Sequence, residues 1–224
     1  MAWYDPDIKK VVCVGCRPAP PSRLVNPVGG ASAQRRATRT RDPNWQKGAV
    51  GEHIIGEFLQ RTLTAGEIIA NDRQVPGGRG NIDHLVVASS GVWLIDTKHW
   101  TGTIEYKNTA GLFNDRRRLF VNGVDRTAEI EAAYQSLIPV KQLIADPSVP
   151  VHPALVFVDG DWTLGTTLKL LAGRPHQHLG VWITAPKALA RKIREPGPLS
   201  GAKVRSLAAM LDAHLPPMGQ PSWR

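Results

Sequence analysis

The chain has 224 residues, 42% of them hydrophobic, and its 28 Lys and Arg exceed its 19 Asp and Glu to give a net charge of +9. That length suits one sizeable α/β domain with appendages, and the basic excess favours an anionic partner such as nucleic acid. No apolar run approaches the ~18–20 residues of a transmembrane helix and the N-terminus lacks a signal-type apolar stretch, which excludes a membrane-spanning helix and makes a reducing, cytoplasmic location the expectation.

In chain order, residues 1–47 come first, with nine Lys and Arg against three acids. The segment is rich in Pro, Gly, Ser and Ala and has no apolar period, so it reads as a flexible basic arm. Arg35, Arg36, Arg39 and Arg41, just before the core, are its candidate phosphate contacts; a solubilising tail is the alternative. Cys13 and Cys16 are the only cysteines. A structural zinc site needs four ligands, and no second Cys-x-x-Cys follows.

Residues 48–215 read as the folded domain and 216–224 as a tail. Ile54, Ile55, Phe58 and Leu59 recur at helical spacing in Gly48–Leu59, with Glu52 at the edge of the buried face. Gly48, Gly51 and Gly56 allow close backbone approach. Glu67–Val75 reads as a strand, and a Pro-Gly-Gly-Arg-Gly turn follows it.

Next come two strands, 81–88 and 91–98, separated only by Ser89 and Ser90, the length of a tight hairpin loop. With Ala88 facing Gly91, Leu85 faces Leu94 and Asp83 falls opposite Asp96, while Lys98 shares the face of Asp96. A three-residue loop would put the two aspartates on opposite faces. Leu85 and Val87 line one side of the first strand, Ile82 and Val86 the other. Apolar residues on both sides imply a central hairpin covered twice. Two carboxylates and an ammonium then converge at the hairpin's open end. Like charges at that separation repel, and a divalent cation would relieve them, which points to a metal-ion phosphodiesterase site. An ordinary Asp–Lys ion pair is the plainer alternative.

Beyond the hairpin, Gly102–Lys107 and Leu119–Val121 read as short strands. Arg116, Arg117 and Arg118 form a second basic cluster that would line a nucleic-acid groove or decorate a turn. Residues 127–145 read as a helix carrying Gln135, kinked at Pro139. A two-face-buried strand follows at 153–159, then a loop with Asp161 and Trp162. An edge strand at 180–184 and helices at 187–193 and 204–211 complete the domain. No internal repeat is visible.

The set Gly48-Ala49-Val50-Gly51-Glu52, Asn81-Ile82-Asp83-His84 and Gly91-Val92-Trp93-Leu94-Ile95-Asp96-Thr97-Lys98, with Trp100 and Gly102, resembles the nuclease-related domain (NERD) family of the PD-(D/E)xK nuclease superfamily. The resemblance runs from about Gly48 to Val158. It implies an α/β, restriction-endonuclease-like core, α-β-β-β-α-β, with a central mixed sheet flanked by helices. It implies Mg²⁺ or Mn²⁺ held by Glu52, Asp83 and Asp96 with the Thr97 carbonyl, and Lys98 acting on the attacking water and the transition state as base or as ammonium. Gln135 matches a glutamine that contacts the site or the nucleic-acid backbone. Asp96 stands where the family often has Glu, and His99 where it commonly has Asn; His99 is read as a hydrogen-bonding neighbour or substrate contact. The implied partner is DNA, with RNA as an alternative. A catalytically silent nucleic-acid-binding or assembly module is the rival to a nuclease.

Overall fold

The computed structural model describes residues 2–5, 10–13, 43–75, 80–110, 116–163 and 176–218. The elements in chain order are β1 (Ala2–Asp5), β2 (Lys10–Cys13), α1 (Pro43–Thr62), β3 (Ile68–Gln74), β4 (Asn81–Ala88), β5 (Gly91–Lys98) and β6 (Gly102–Asn108). They continue with β7 (Arg117–Val121), β8 (Val124–Asp125), α2 (Thr127–Ile144), β9 (Val151–Phe157), β10 (Gly160–Trp162), β11 (His176–His178), β12 (Val181–Thr184), α3 (Pro186–Ile193) and α4 (Gly201–His214). Among the described residues no helix is long and apolar enough to cross a membrane.

The main sheet has six strands in the order β11-β12-β9-β5-β4-β3. The β4–β5 hairpin pairs Ala88 with Gly91 and Leu85 with Leu94, the register expected of a two-residue loop. β9 adds parallel to the far side of β5 and β12 parallel to β9, so the sheet is mixed and β5 sits inside it. This is the restriction-endonuclease-like core. A four-stranded sheet, β10-β6-β7-β8, stands beside it, and β1 and β2 pair with each other.

Helices cover both faces, which is why the central strands are apolar on both sides. On one face Ile55 and Leu59 of α1, Leu63 just past its end, and Leu189 and Ile193 of α3 pack on Val86, Trp93, Ile95 and Val156. On the other, Leu137 and Val140 of α2 and Val204, Leu207 and Leu211 of α4 pack on Leu85, Val87, Val92 and Leu94. Ile130 and Ala133, nearer the start of α2, reach Ile104, Leu119, Leu155 and Phe157. A further segment, Leu215 to Met218, runs back along β3: Gln74 N–H donates to the Pro216 carbonyl and Met218 N–H to that of Asp72.

The structure corrects several local expectations. Ile54 is 40% exposed, because the buried stripe of α1 runs through Gly51, Glu52, Ile55, Gly56 and Leu59. Ile82 joins Leu85 and Val87 rather than Val86. Opposite this stretch, Asp72 on the neighbouring strand is held at φ 56°. The β3–β4 pairing skips the Asp72–Asp83 position, and the side chains change face across that break. α2 does fill the expected span, through Pro139 to Ile144. The strand at 181–184 lies inside the sheet, with β11 outside it, and Gly160–Trp162 is a strand rather than a loop. α1 begins at Pro43, ahead of Gly48, and proline's fixed φ suits a first helical position.

Candidate active site

The regular β4–β5 ladder stops at His84 and Ile95. Beyond it the Asp83 carboxylate takes the place of a ladder carbonyl: Thr97 N–H donates to its Oδ2 at 2.8 Å. Asn81 Nδ2 donates to the other oxygen at 3.1 Å and to Asp72 Oδ1 at 3.3 Å. On the other side of β5, Val158 N–H bonds the Lys98 carbonyl. Backbone groups alternate sides along a strand, so Thr97 turns both its N–H and its carbonyl toward β4 and Asp83.

Asp96 and Lys98 follow on the face covered by α2. The ammonium lies 3.0 Å from Asp96 and 2.8 Å from Glu129 in the first turn of α2. Glu129 is a participant that the sequence reading missed. Its only linear signal is its place just before buried Ile130 on an otherwise amphipathic helix.

These contacts set the protonation. Burial, and next the Asp96 charge, push the Asp83 carboxyl up to about 8, against the pull of the Thr97 N–H and Lys98. Asp96 is raised by burial as well, opposed by Lys98. For Lys98, burial alone would lower the pKa; the Asp96 and Glu129 carboxylates outweigh it and hold the ammonium above the ordinary lysine range. Lys98 is a firmly charged cation shared between two acids.

Glu52 approaches from the opposite helical layer. It is buried on α1, and its backbone carbonyl meets the buried ring of His84, whose Nδ1 lies 2.7 Å from Asn71 Oδ1. Burial lowers the His84 pKa to about 3 and keeps the ring neutral. Gly51 explains how α1 comes so close: a Cβ there would lie 2.6 Å from that of His99. His99 itself spans the Lys47 carbonyl and the Asp159 carboxylate, each at 2.7 Å.

Of the expected site residues, Asp83, Asp96, Thr97 and Lys98 come together on one hairpin end. Among the described residues no group of three or more His, Cys, Asp or Glu has the arrangement that holds a metal ion. Gln135 is exposed on α2, six residues past Glu129 and so about 120° around the helix from it. Arg116, Arg117 and Arg118 are exposed and line a cleft of about 500 Å³ with Thr127, Glu131 and His178. Arg118 is paired there with Asp125. Arg35, Arg36, Arg39 and Arg41, and the turn at 76–79, lie outside the described residues.

A carboxylate pair, a lysine two residues on and a mixed sheet with β5 at its centre make a nuclease-type frame. The family model described as nuclease-related domain, NERD, matches residues 47–158. The chain belongs to the NERD family. NERD domains sit within the PD-(D/E)xK superfamily, and the match makes this a nuclease-related protein. No curated protein and no solved structure matches the chain. The NERD match runs from within α1 through β9 and thus covers every residue of the hairpin site.

The donor set fits a hard divalent cation. Asp83 and Asp96 supply oxygens, the Thr97 carbonyl points the same way, and burial with the Asp96 charge raises the Asp83 carboxyl, while Asp96 is paired with Lys98. Oxygen donors of this kind suit a hard divalent cation.

Proposed function

We propose that this NERD-family protein hydrolyses phosphodiester bonds of DNA, with Mg²⁺ or Mn²⁺ as cofactor. The observation that carries the reading is the buried Asp83 carboxylate set against Asp96 with the Lys98 ammonium alongside. Asp83, Asp96 and the Thr97 carbonyl would hold the cation, with Glu52 as the further carboxylate from the α1 side. When bound, the cation supplies Lewis-acid polarisation of a phosphoryl oxygen.

Lys98 has the role that its surroundings favour. An ammonium held above the ordinary lysine range is a poor base and a good electrostatic partner for charge building on a phosphoryl group. It orients water and substrate rather than removing a proton. Gln135, on the exposed side of α2, would touch the nucleic-acid backbone away from the reacting atoms. Arg116, Arg117 and Arg118, with Arg35, Arg36, Arg39 and Arg41 of the arm, would neutralise phosphates along the duplex.

A second reading, nucleic-acid binding without cleavage, draws support from Lys98 itself. Its single positive charge is already shared between Asp96 and Glu129. One assay separates the readings: the full chain is incubated with supercoiled plasmid, linear duplex and single strands in Mg²⁺, Mn²⁺ or EDTA. Cleavage that needs the metal and is lost in Lys98→Ala supports the nuclease. Binding of the same substrates with no cleavage in any metal supports the silent module. Cleavage undiminished in both Lys98→Ala and Asp96→Asn overturns the site.

A further inference from the structure

We propose that Arg126, laid on the indole of Trp100 beside Lys98, is a phosphate-binding residue that seats a nucleic-acid backbone phosphate next to the reacting one. The inference rests on nucleic acid as the substrate, and no cleavage is needed to test it.

Trp100 follows β5 directly, and its ring packs edge-on against Phe157 with centroids 6.0 Å apart. That contact fixes the indole at the mouth of the hairpin site. Two cations address the same ring: Lys98 Nζ lies 5.7 Å from its centroid and the Arg126 guanidinium 4.8 Å. Arg126 occupies the N-cap of α2. Its backbone is anchored at both ends, its N–H to the Leu119 carbonyl at 2.8 Å and its carbonyl to Glu129 N–H at 3.1 Å.

The charges around Arg126 are already assigned. Lys98 is shared between Asp96 and Glu129, and Arg118 is paired with Asp125. Among the described residues no carboxylate is paired with Arg126, whose contact is the indole face. A guanidinium stacked on an aromatic ring keeps its planar fork of N–H donors free at the edges, and that fork matches two oxygens of a phosphate. Stacking also removes much of the rotamer freedom that an exposed arginine would otherwise lose on binding.

The test measures binding of the full chain to a labelled duplex and to the same single strand, in EDTA, over a series of NaCl concentrations. Wild type is compared with Arg126→Ala, Arg126→Lys and Arg205→Ala, the last removing one exposed charge from α4. Arg126→Ala should weaken duplex binding about three- to tenfold and reduce the slope of log K against log salt by about 0.9, the value for one phosphate. Arg126→Lys should keep the slope and lose part of the affinity, since an ammonium has no planar fork. Arg205→Ala should keep both. Arg126→Ala with wild-type affinity and slope, while wild type binds in a salt-dependent way, overturns the role of Arg126 and leaves the nuclease reading standing. An equal loss in Arg205→Ala reduces Arg126 to general charge and also overturns it. Wild type that binds neither the duplex nor the single strand at any salt overturns both proposals. A thermal melt of each variant verifies the fold, and Arg126→Lys carries the comparison if the alanine variant melts early.

Discussion

Asp83 is a carboxylate with more burial than compensation. One backbone N–H, one amide and a lysine that two other acids share stand against desolvation and the charge of Asp96. Its folded pKa of about 8 lies above the ordinary 3.8, so the folded state binds the extra proton and loses stability as pH rises toward 8. His84 acts in the opposite sense. Lowered from 6.5 to about 3, it contributes stability above 6.5 that fades as pH falls. Between about 4 and 6.5 the two cancel; from about 6.5 to 8 the Asp83 limb stands alone. Metal-free protein should therefore unfold more easily across that upper window, by at most about 1.4 kcal/mol per pH unit for one proton. Denaturant titrations in EDTA check this, and Asp83→Asn should flatten the limb. Mg²⁺ or Mn²⁺ should restore stability at pH 8 in wild type and much less in Asp83→Asn. Lys98→Ala removes the site's own counter-charge, so calorimetry should find divalent binding retained or tightened, whereas Asp96→Asn should weaken it.

Elements bring these residues together with little slack. Gly51→Ala would place its Cβ 2.6 Å from that of His99, where neither backbone yields easily. A loss of about 1–3 kcal/mol in chemical denaturation is expected, together with α1 easing away from β5. The buried guanidinium of Arg73 joins α4 to β3 through Asp212 at 2.8 Å and the Leu215 carbonyl at 3.0 Å. Asp212→Ala strands that charge, and on the order of 2 kcal/mol should go, less than for a fully buried pair because Asp212 is one-third exposed. The hairpin was legible in the sequence for a local reason: two small polar residues, then a glycine at φ 137° whose Cβ would meet the Pro150 carbonyl at 2.5 Å. The face of Ile82 was not legible, since it changes at the break in the β3–β4 pairing beside Asp72, which sequence pattern does not signal. Glu129 and Arg126 were missed because α2 reaches the site through tertiary packing, which linear spacing cannot encode.

At the scale of the molecule, the order of helices and strands was readable from alternating periods and the mixed sheet from the family resemblance, while β11 and β10, three residues each, are too short to carry a period. The basic arm is the other large feature. Removal of residues 1–42 takes eight of the chain's Lys and Arg and three acids and stops short of Pro43, where α1 begins. The shortened protein should keep its melting temperature, bind DNA more weakly and show a shallower salt dependence. A deletion through Lys47 should also lower the melting temperature, because it removes the first turn of α1 and the carbonyl that His99 contacts. An arm that only solubilises would leave affinity and slope unchanged.

The segment Leu215–Met218 lies along the outer side of β3, and β12 lies along the outer side of β9. Both belong to the chain beyond residue 158, where the family match ends. A fragment cut to the matched region would thus carry the whole hairpin and yet leave two rows of backbone donors and acceptors open, one at each margin of a four-stranded sheet. Open margins invite strands from other molecules. Such a fragment should self-associate, and its activity would say little about the site: whatever this chain does at Asp83, Asp96 and Lys98, it is the last third, beyond the family match, that covers both of those margins.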